Sequence, residues 1–383
     1  MGSKKLKIVI FSWRGPGHPN LGGAEIVTHE HAKVWVKAGH KVTLFTSFFP
    51  GAREREIIDG VEIIRRGKGL IGVHLEAWKW YRNLEDKPDI VFDHFHGIPF
   101  FTPLYVREKK VAFIHEVAKE VWFLSHLPFP KNLIYGAVGY LLEPWVFRLY
   151  KNLPFVTVSE STKKDLENWG IKKTYVVPNG VFKIKVDVPK EKSKTAIYLG
   201  ALARDKGIED AIKTFALINK QSLPLRGKSD KNWKFWVVGR GDLRYVKKLK
   251  IQTSKLKIRE KIKFWGYVSE KKKFELLARA WVMINPSVRE GWGLVNIEAN
   301  SVGTPVVGYD VPGTKDSVKD GETGILVKKG DFGSLANNVL ELCKNRDLYE
   351  TFEKNAVNWG KKFGWKKSGR ESLKLIETIC RKK

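Results

Sequence analysis

Two long stretches of this chain repeat one arrangement: a short apolar strand, a glycine-rich loop, a helix, and another apolar strand. The first has a strand over 6–11, a loop over 15–23, a helical pattern from Ala24 to Ala38 stopped at Gly39, and a strand over 41–46. Further short apolar runs follow at 89–92, 110–114, 155–158 and 175–177. The second has a strand over 196–199, a loop over 200–207, a helix over 208–219 and strands at 233–238, 262–265, 281–284 and 305–308, with helices from Phe332 onward. A helix that carries the chain back between successive apolar strands is the signature of a parallel sheet. Between the two series, Pro178-Asn179-Gly180 marks a turn, and the Lys-rich run 183–194 reads as a linker. The expected organisation is two α/β domains, 1–182 and 193–365, with a C-terminal helix over 366–383 packing back on the first. Open parallel sheets bind ligands at the carboxyl ends of their strands, so two such domains are expected to enclose a cleft.

Length agrees, since 383 residues exceed one ordinary core. With 43% hydrophobic and 29% charged residues, a mainly disordered chain is excluded. Two cysteines, Cys343 and Cys380, are too few for a disulfide scaffold or a Cys-rich zinc site. They fit a cytoplasmic location. The formal net charge of +29 favours polyanionic partners: nucleic acid, an anionic lipid surface or a phosphorylated substrate. No nucleic-acid motif accompanies it, so nucleic acid is not the expected partner. No secretory leader is expected, because Lys4-Lys5 runs directly into the first strand. Leu6 stands where a myristoylation motif needs Ser or Thr. The longest apolar run, 133–150, is broken by Glu143, Pro144 and Arg148, and it falls short of a membrane span.

The run 285–299, Asn-Pro-Ser-Val-Arg-Glu-Gly-Trp-Gly-Leu-Val-Asn-Ile-Glu-Ala, carries the most chemistry. A strand end leads into a loop with Gly291 and Gly293, then into a helix. Glycines let backbone approach a ligand closely. The free N–H groups near Leu294 and Val295 offer a seat for phosphate. Glu298, one turn into the helix, leans toward its N-terminus. A carboxylate there would repel phosphate, so it suits sugar or ribose hydroxyls. Glu290 could take hydroxyls on the other side.

This spacing, Pro-Ser…Glu-Gly-x-Gly-Leu-x-x-x-Glu-Ala followed by Gly303-x-Pro305-Val306-Val307, resembles glycosyltransferase family 4, the retaining nucleotide-sugar enzymes of the GT-B fold. The resemblance extends to Gly22-Gly23-Ala24-Glu25, Ser159-Glu160-Ser161-Thr162, Pro178-Asn179-Gly180, Gly239-Arg240-Gly241 and Asp320-Gly321-Glu322-Thr323-Gly324. It implies two Rossmann-like domains facing across a cleft and a nucleoside diphosphate sugar, UDP- or GDP-linked, as donor. It further implies that Glu298 holds the ribose, and that Glu290, Gly291, Trp292 and Gly293 meet the sugar. Leu294 and Val295 would hold the diphosphate through their backbone, with Gly22 and Gly23 in the first glycine loop. Tyr267 and Val268 fall at the base pocket. Lys206 matches the family's phosphate-binding lysine, whereas the usual arginine position is Ala201. Arg204 is the candidate substitute, because its guanidinium fork suits phosphate; the alternative is that it faces solvent.

His115 matches a histidine that the family places near the sugar. The resemblance thus casts His115, Glu290 and Lys206 as catalytic, without cofactor or metal. Asp93, His94 and His96 could suggest a metal site by their types and spacing, but no further ligand joins them and none is expected. The stretch 122–149 is more apolar than one helix face requires. It reads either as an interfacial segment of a peripheral membrane enzyme with a lipid-linked or glycolipid acceptor, or as internal packing. Two rival functions are a nucleotide-sugar-binding protein without transferase activity and a basic nucleic-acid binder.

Overall fold

The computed structural model describes residues 4–95, 97–124, 130–222 and 233–381. His96, Leu127 and Phe129 lie outside these. The chain divides into two units, Met1–Gly180 with Gly364–Lys383, and Val181–Phe363.

The first unit holds β1 (Lys7–Phe11), α1 (Gly23–Lys37), β2 (Lys41–Phe48), β3 (Arg55–Ile58), β4 (Val61–Lys68), α2 (Gly69–Arg82), β5 (Ile90–Phe95), β6 (Lys109–Ile114), α3 (Lys131–Arg148), β7 (Phe155–Thr157), α4 (Glu160–Asn168) and β8 (Thr174–Val176). Its sheet runs β3-β4-β2-β1-β5-β6-β7-β8. All neighbours are parallel except β3 and β4, which form a hairpin. The turn of that hairpin is Asp59-Gly60, both at positive φ (52° and 82°), as tight hairpin turns require. Apolar periodicity does not reveal this hairpin, because Arg55, Glu56 and Glu62 interrupt it. Central strands such as β1 and β5 are buried on both faces and so read as continuous apolar runs.

The second unit holds β9 (Thr195–Leu199), α5 (Ile208–Gln221), β10 (Lys234–Val238), α6 (Leu243–Lys255), β11 (Ile262–Gly266), α7 (Glu270–Arg279), β12 (Val282–Asn285), α8 (Leu294–Ser301), β13 (Val306–Tyr309), α9 (Thr314–Ser317), β14 (Gly324–Val327), α10 (Phe332–Lys344) and α11 (Arg346–Gly360). Its sheet is parallel, in the order β11-β10-β9-β12-β13-β14. From β9 the chain moves outward through β10 and β11, then returns to lay β12 on the other side of β9. The reversal opens a crevice at the carboxyl ends of β9 and β12. Residues 183–194 form no helix or strand, and Lys190 pins them to this unit. Its ammonium donates to Ala280 O (2.9 Å), Gly303 O (3.2 Å) and Thr304 Oγ1 (3.1 Å).

The last helix, α12 (Trp365–Arg381), lies on α1 of the first unit. Trp35 Nε1 donates to Ser372 Oγ at 2.9 Å, and His31 Nε2 pairs with Ser368 Oγ at 2.8 Å. Gly369 is the point of closest approach: a Cβ there would stand 2.4 Å from Val34 Cγ2. Burial pushes His31 down to about 3, so it is neutral at physiological pH.

Candidate active site

Two loops meet at the crevice of the second unit, 200–207 after β9 and 286–293 after β12. They touch through glycine: Gly207 has φ 68°, and a Cβ on it would stand 1.9 Å from Pro286 O. Val288 N donates to Asp205 O at 2.8 Å. Buried Tyr198 holds the first loop from below, its hydroxyl 2.7 Å from Ala201 O and 3.2 Å from Lys206 O. Burial raises that phenol far above its ordinary range, so it acts only as a neutral donor.

Across the loop contact, Lys206 Nζ lies 3.1 Å from Glu290 Oε2 and 3.6 Å from Asp205 Oδ2. The other oxygen of Glu290 is 2.7 Å from Ser287 Oγ, which is also 2.7 Å from Asn285 Oδ1. Asn285 Nδ2 donates to Asn296 Oδ1 at 2.6 Å, and Asn296 Nδ2 donates to Ser317 Oγ at 2.9 Å. A hydrogen-bonded chain thus runs from the end of β12 through α8 to α9, all of it buried except its Glu290 end. Glu290 is fixed from its backbone too, because Glu290 N donates to Pro312 O at 3.0 Å. Gly313 packs so tightly beneath it that a Cβ would stand 2.0 Å from Glu290 O.

Gly293, at φ 69°, starts α8, and its missing side chain makes room for Asn296 and Ser317. The first N–H groups of α8, near Leu294 and Val295, have no partners within the helix. Glu298 lies on α8, 8% exposed. Lys273 of α7 donates to its Oε1 at 2.7 Å and to Glu270 at 2.9 Å. Burial raises the Glu298 carboxyl above its ordinary value, against the pull of Lys273. Burial by itself would lower Lys273, but Glu298 and Glu270 outweigh it and hold the ammonium above its ordinary value.

The structure therefore brings Lys206, Glu290, Gly291, Gly293, Leu294, Val295 and Glu298 into one unit around one crevice. Trp292 stands among them, but its side chain is buried on Phe363, ring centroids 4.8 Å apart, so it can offer a ligand its backbone only. Arg204 and Ala201 are both exposed. Tyr267, after β11, is 74% exposed with Arg240 over its ring, and Val268 packs into the core beside it. Sequence reading missed Tyr198, Lys273, Asn285, Ser287, Asn296 and Ser317. Asn285 and Asn296 carried a signal, as polar residues at buried strand-end and helix positions. Lys273 carried none within its Lys271-Lys272-Lys273 run.

Gly22, Gly23 and His115 belong to the first unit. Gly22 precedes α1, its N–H donating to Glu25 Oε2 at 2.7 Å, and Arg14 Nε meets Glu25 Oε1 at 2.7 Å. His115 follows β6 and is half-buried, and its carbonyl accepts from Thr162 Oγ1 at 3.0 Å. Asp93 is a buried hub: it accepts from Phe100 N (2.8 Å), Thr102 N (3.1 Å), Thr102 Oγ1 (2.8 Å) and Tyr150 OH (2.7 Å). Burial raises its carboxyl. Those four donors occupy the oxygens that a metal would need, and His94 pairs with Thr28 Oγ1 at 3.2 Å. Among the described residues no cluster of three metal-ligating side chains exists.

Solved structures of known proteins share this architecture. Sucrose-phosphate synthase from Thermosynechococcus elongatus superposes with a TM-score of 0.81 at 20% identity, over 98% of this chain and 99% of that one. Anabaena HepE in complex with UDP-glucose superposes at 0.72 with 18% identity, over 97% and 100%. The fold is GT-B, two Rossmann-like domains in one chain. The family model for glycosyl transferases group 1 matches residues 182–359, and that for Glycosyltransferase Family 4 matches residues 21–182. An uncharacterized glycosyltransferase of Methanocaldococcus jannaschii is 24% identical over 403 residues, 97% of this chain and 98% of its own. The chain belongs to glycosyltransferase family 4, the group 1 glycosyl transferases, and its chemistry is glycosyl transfer.

Proposed function

We propose that this enzyme moves a sugar from a nucleoside diphosphate sugar to an acceptor hydroxyl with retention and without a metal. The observation that carries this reading is the Lys206–Glu290 pair, in the loop that leads into the open N-terminus of α8, with Glu298 one turn into that helix. The N–H groups at Leu294 and Val295 and the Lys206 ammonium would receive the diphosphate, and exposed Arg204 of the same loop would join them. Together they oppose the charge that grows on the leaving group as the glycosidic bond breaks. Lys206 would then exchange its pairing with Glu290 for the phosphate, releasing the Glu290 carboxylate to the sugar hydroxyls. Glu298 has one oxygen on Lys273, and its Oε2 would take the ribose. Tyr267 and Val268 would flank the base, and Gly22, Gly23 and His115 would act from the first unit on the sugar and acceptor.

In this scheme Glu290 and Glu298 serve as binding groups rather than covalent nucleophiles. The reading is front-face transfer, in which the departing phosphate oxygen takes the acceptor's proton. UDP-glucose bound to HepE favours a UDP-sugar as donor. The acceptor we assign is lipid-linked or glycolipid, used by a peripheral enzyme at a cytoplasmic anionic membrane face.

The test is a thermal-shift and turnover screen against UDP-glucose, UDP-N-acetylglucosamine and GDP-mannose. One donor at 100 times its dissociation constant should stabilise by about 2.7 kcal/mol and release nucleoside diphosphate, with the α-anomer conserved in the product. Inverted product, or no response to any nucleotide sugar, would overturn the scheme.

A further inference from the structure

The expectation that 122–149 is internal packing fails for α3. Its protein-facing positions, Gly136, Gly139, Glu143 and Phe147, recur at three- and four-residue intervals and so form one narrow stripe. That stripe is fully used. The 3-10 turn Lys119–Leu124 lies on it, so close that a Cβ on Gly136 would meet Phe123 at 2.5 Å and one on Gly139 would meet Trp122 at 2.4 Å. Glu143 ties the turn down, accepting from Ala118 N (2.6 Å), Lys119 N (2.8 Å) and Trp122 Nε1 (3.0 Å).

The rest of the helix is apolar and mostly outward-facing, with the rings of Tyr135 and Tyr140 also touching Trp122 and Phe123 of the turn. Leu133, Ile134, Tyr135, Val138, Tyr140, Leu141, Leu142 and Trp145 are all exposed, Leu141 at 66% and Trp145 at 62%. A contiguous apolar surface of this kind marks an interaction site. Between Lys131 and Arg148 the only charge on the helix is the buried Glu143. The charges stand at the two ends: exposed Lys131 at one, and Arg148 and Lys151 at the other, with the Arg148 guanidinium 4.1 Å from the Trp145 ring.

We propose that α3 is an in-plane membrane anchor that seats the first unit on an anionic bilayer; this rests on the glycosyl-transfer reading and supplies its acceptor's location. Three observations select lipid over a protein partner. Basic residues bracket the apolar face without a carboxylate among them, which complements anionic headgroups. Tyr135, Tyr140 and Trp145 are the residue types that settle at the water–lipid boundary. The chain as a whole carries +29. The helix lies in the surface rather than across it, because one side is occupied by the 3-10 turn and both ends are charged. No helix among the described residues is long and apolar enough to cross a membrane.

The experiment is flotation of the full chain with phosphatidylcholine vesicles, with and without phosphatidylglycerol. It compares the wild type, Leu141→Glu/Trp145→Glu, and a control Leu243→Glu on α6, where Leu243 is 85% exposed. Wild type and control should float with anionic vesicles, and the α3 variant should lose binding by at least about tenfold, as withdrawing large apolar side chains from lipid requires. Thermal shift with nucleotide sugars on the same proteins separates the two readings. An α3 variant that no longer floats yet still responds to donor supports the anchor. A wild type that responds to donor but ignores anionic vesicles overturns the anchor and leaves glycosyl transfer standing. A variant that floats like wild type also overturns it, because lysine charge alone then suffices. So does light scattering that shows an α3-dependent dimer without vesicle binding.

Discussion

Replacing Lys273 by alanine tests the buried pair that supports the ribose-binding carboxylate. Its ammonium is 2.7 Å from Glu298 Oε1, and the two side chains are only 14% and 11% exposed. Stripping one partner from a buried pair costs about 3–5 kcal/mol, because the other charge is left in a poor medium. Glu298 can relieve this by taking a proton. From its unperturbed 4.5, that costs about 3.4 kcal/mol at pH 7 and about 0.7 kcal/mol at pH 5. The loss is therefore capped near 3 kcal/mol at pH 7, about 6–12 °C in the melting of a unit of this size. The sign follows from Glu298. A carboxyl raised in the folded state contributes stability that is complete below its unfolded value and is lost as pH rises through its folded value. The variant's deficit should thus shrink between pH 7 and pH 5, by no more than the roughly 2.7 kcal/mol that separates those two protonation costs. The wild-type lysine, raised and charged throughout this window, adds no slope of its own, and the wild-type Glu298, which Lys273 holds below the variant's value, adds a smaller one. Lys273→Met/Glu298→Gln should recover most of the loss at pH 7. Differential scanning calorimetry of the three proteins at both pH values reads all of this. A Lys273→Ala protein that melts with the wild type at pH 7, or whose deficit does not change with pH, would refute the reasoning.

Glu298→Ala should weaken nucleoside diphosphate binding by about 1.5–3 kcal/mol with the fold intact; titration calorimetry that finds unchanged affinity removes Glu298 from the ribose. EDTA should leave transfer intact, and activity that EDTA abolishes and manganese restores would reopen the surroundings of Asp93 and His94. Gly207→Ala should cost more than the roughly 1–2 kcal/mol of left-handed strain alone, since its Cβ would stand 1.9 Å from Pro286 O, whereas Gly330, also at positive φ, has nothing within 4 Å. Equal urea midpoints for Gly207→Ala and Gly330→Ala would show that the two loops do not touch as described.

The linear order of residues determined a good deal here. Strands buried on both faces must be apolar along their length, so β1, β5, β9 and β12 stood out as runs, with helices at a different period between them. Glycine positions were legible because left-handed backbone at Gly207, Gly293 and Gly313 admits little else. Glu290 and Glu298 were legible because one loop and one helical turn separate them. The tertiary structure decided what distance along the chain hides. Lys273 reaches Glu298 from another helix, and Asn296 reaches Ser317 and Asn285 across three elements, contacts that no local period encodes. The edge hairpin β3–β4 has no continuous apolar run because it is half-exposed. α12 follows the second unit in sequence, yet its serines and Gly369 fit α1 of the first. The composition of α3 suits a core or a lipid surface equally. Only the narrow stripe, with Gly136, Gly139 and Glu143 under one short turn and Phe147 on Phe95, Phe155 and Trp169, shows that most of its apolar side chains stay exposed among the described residues.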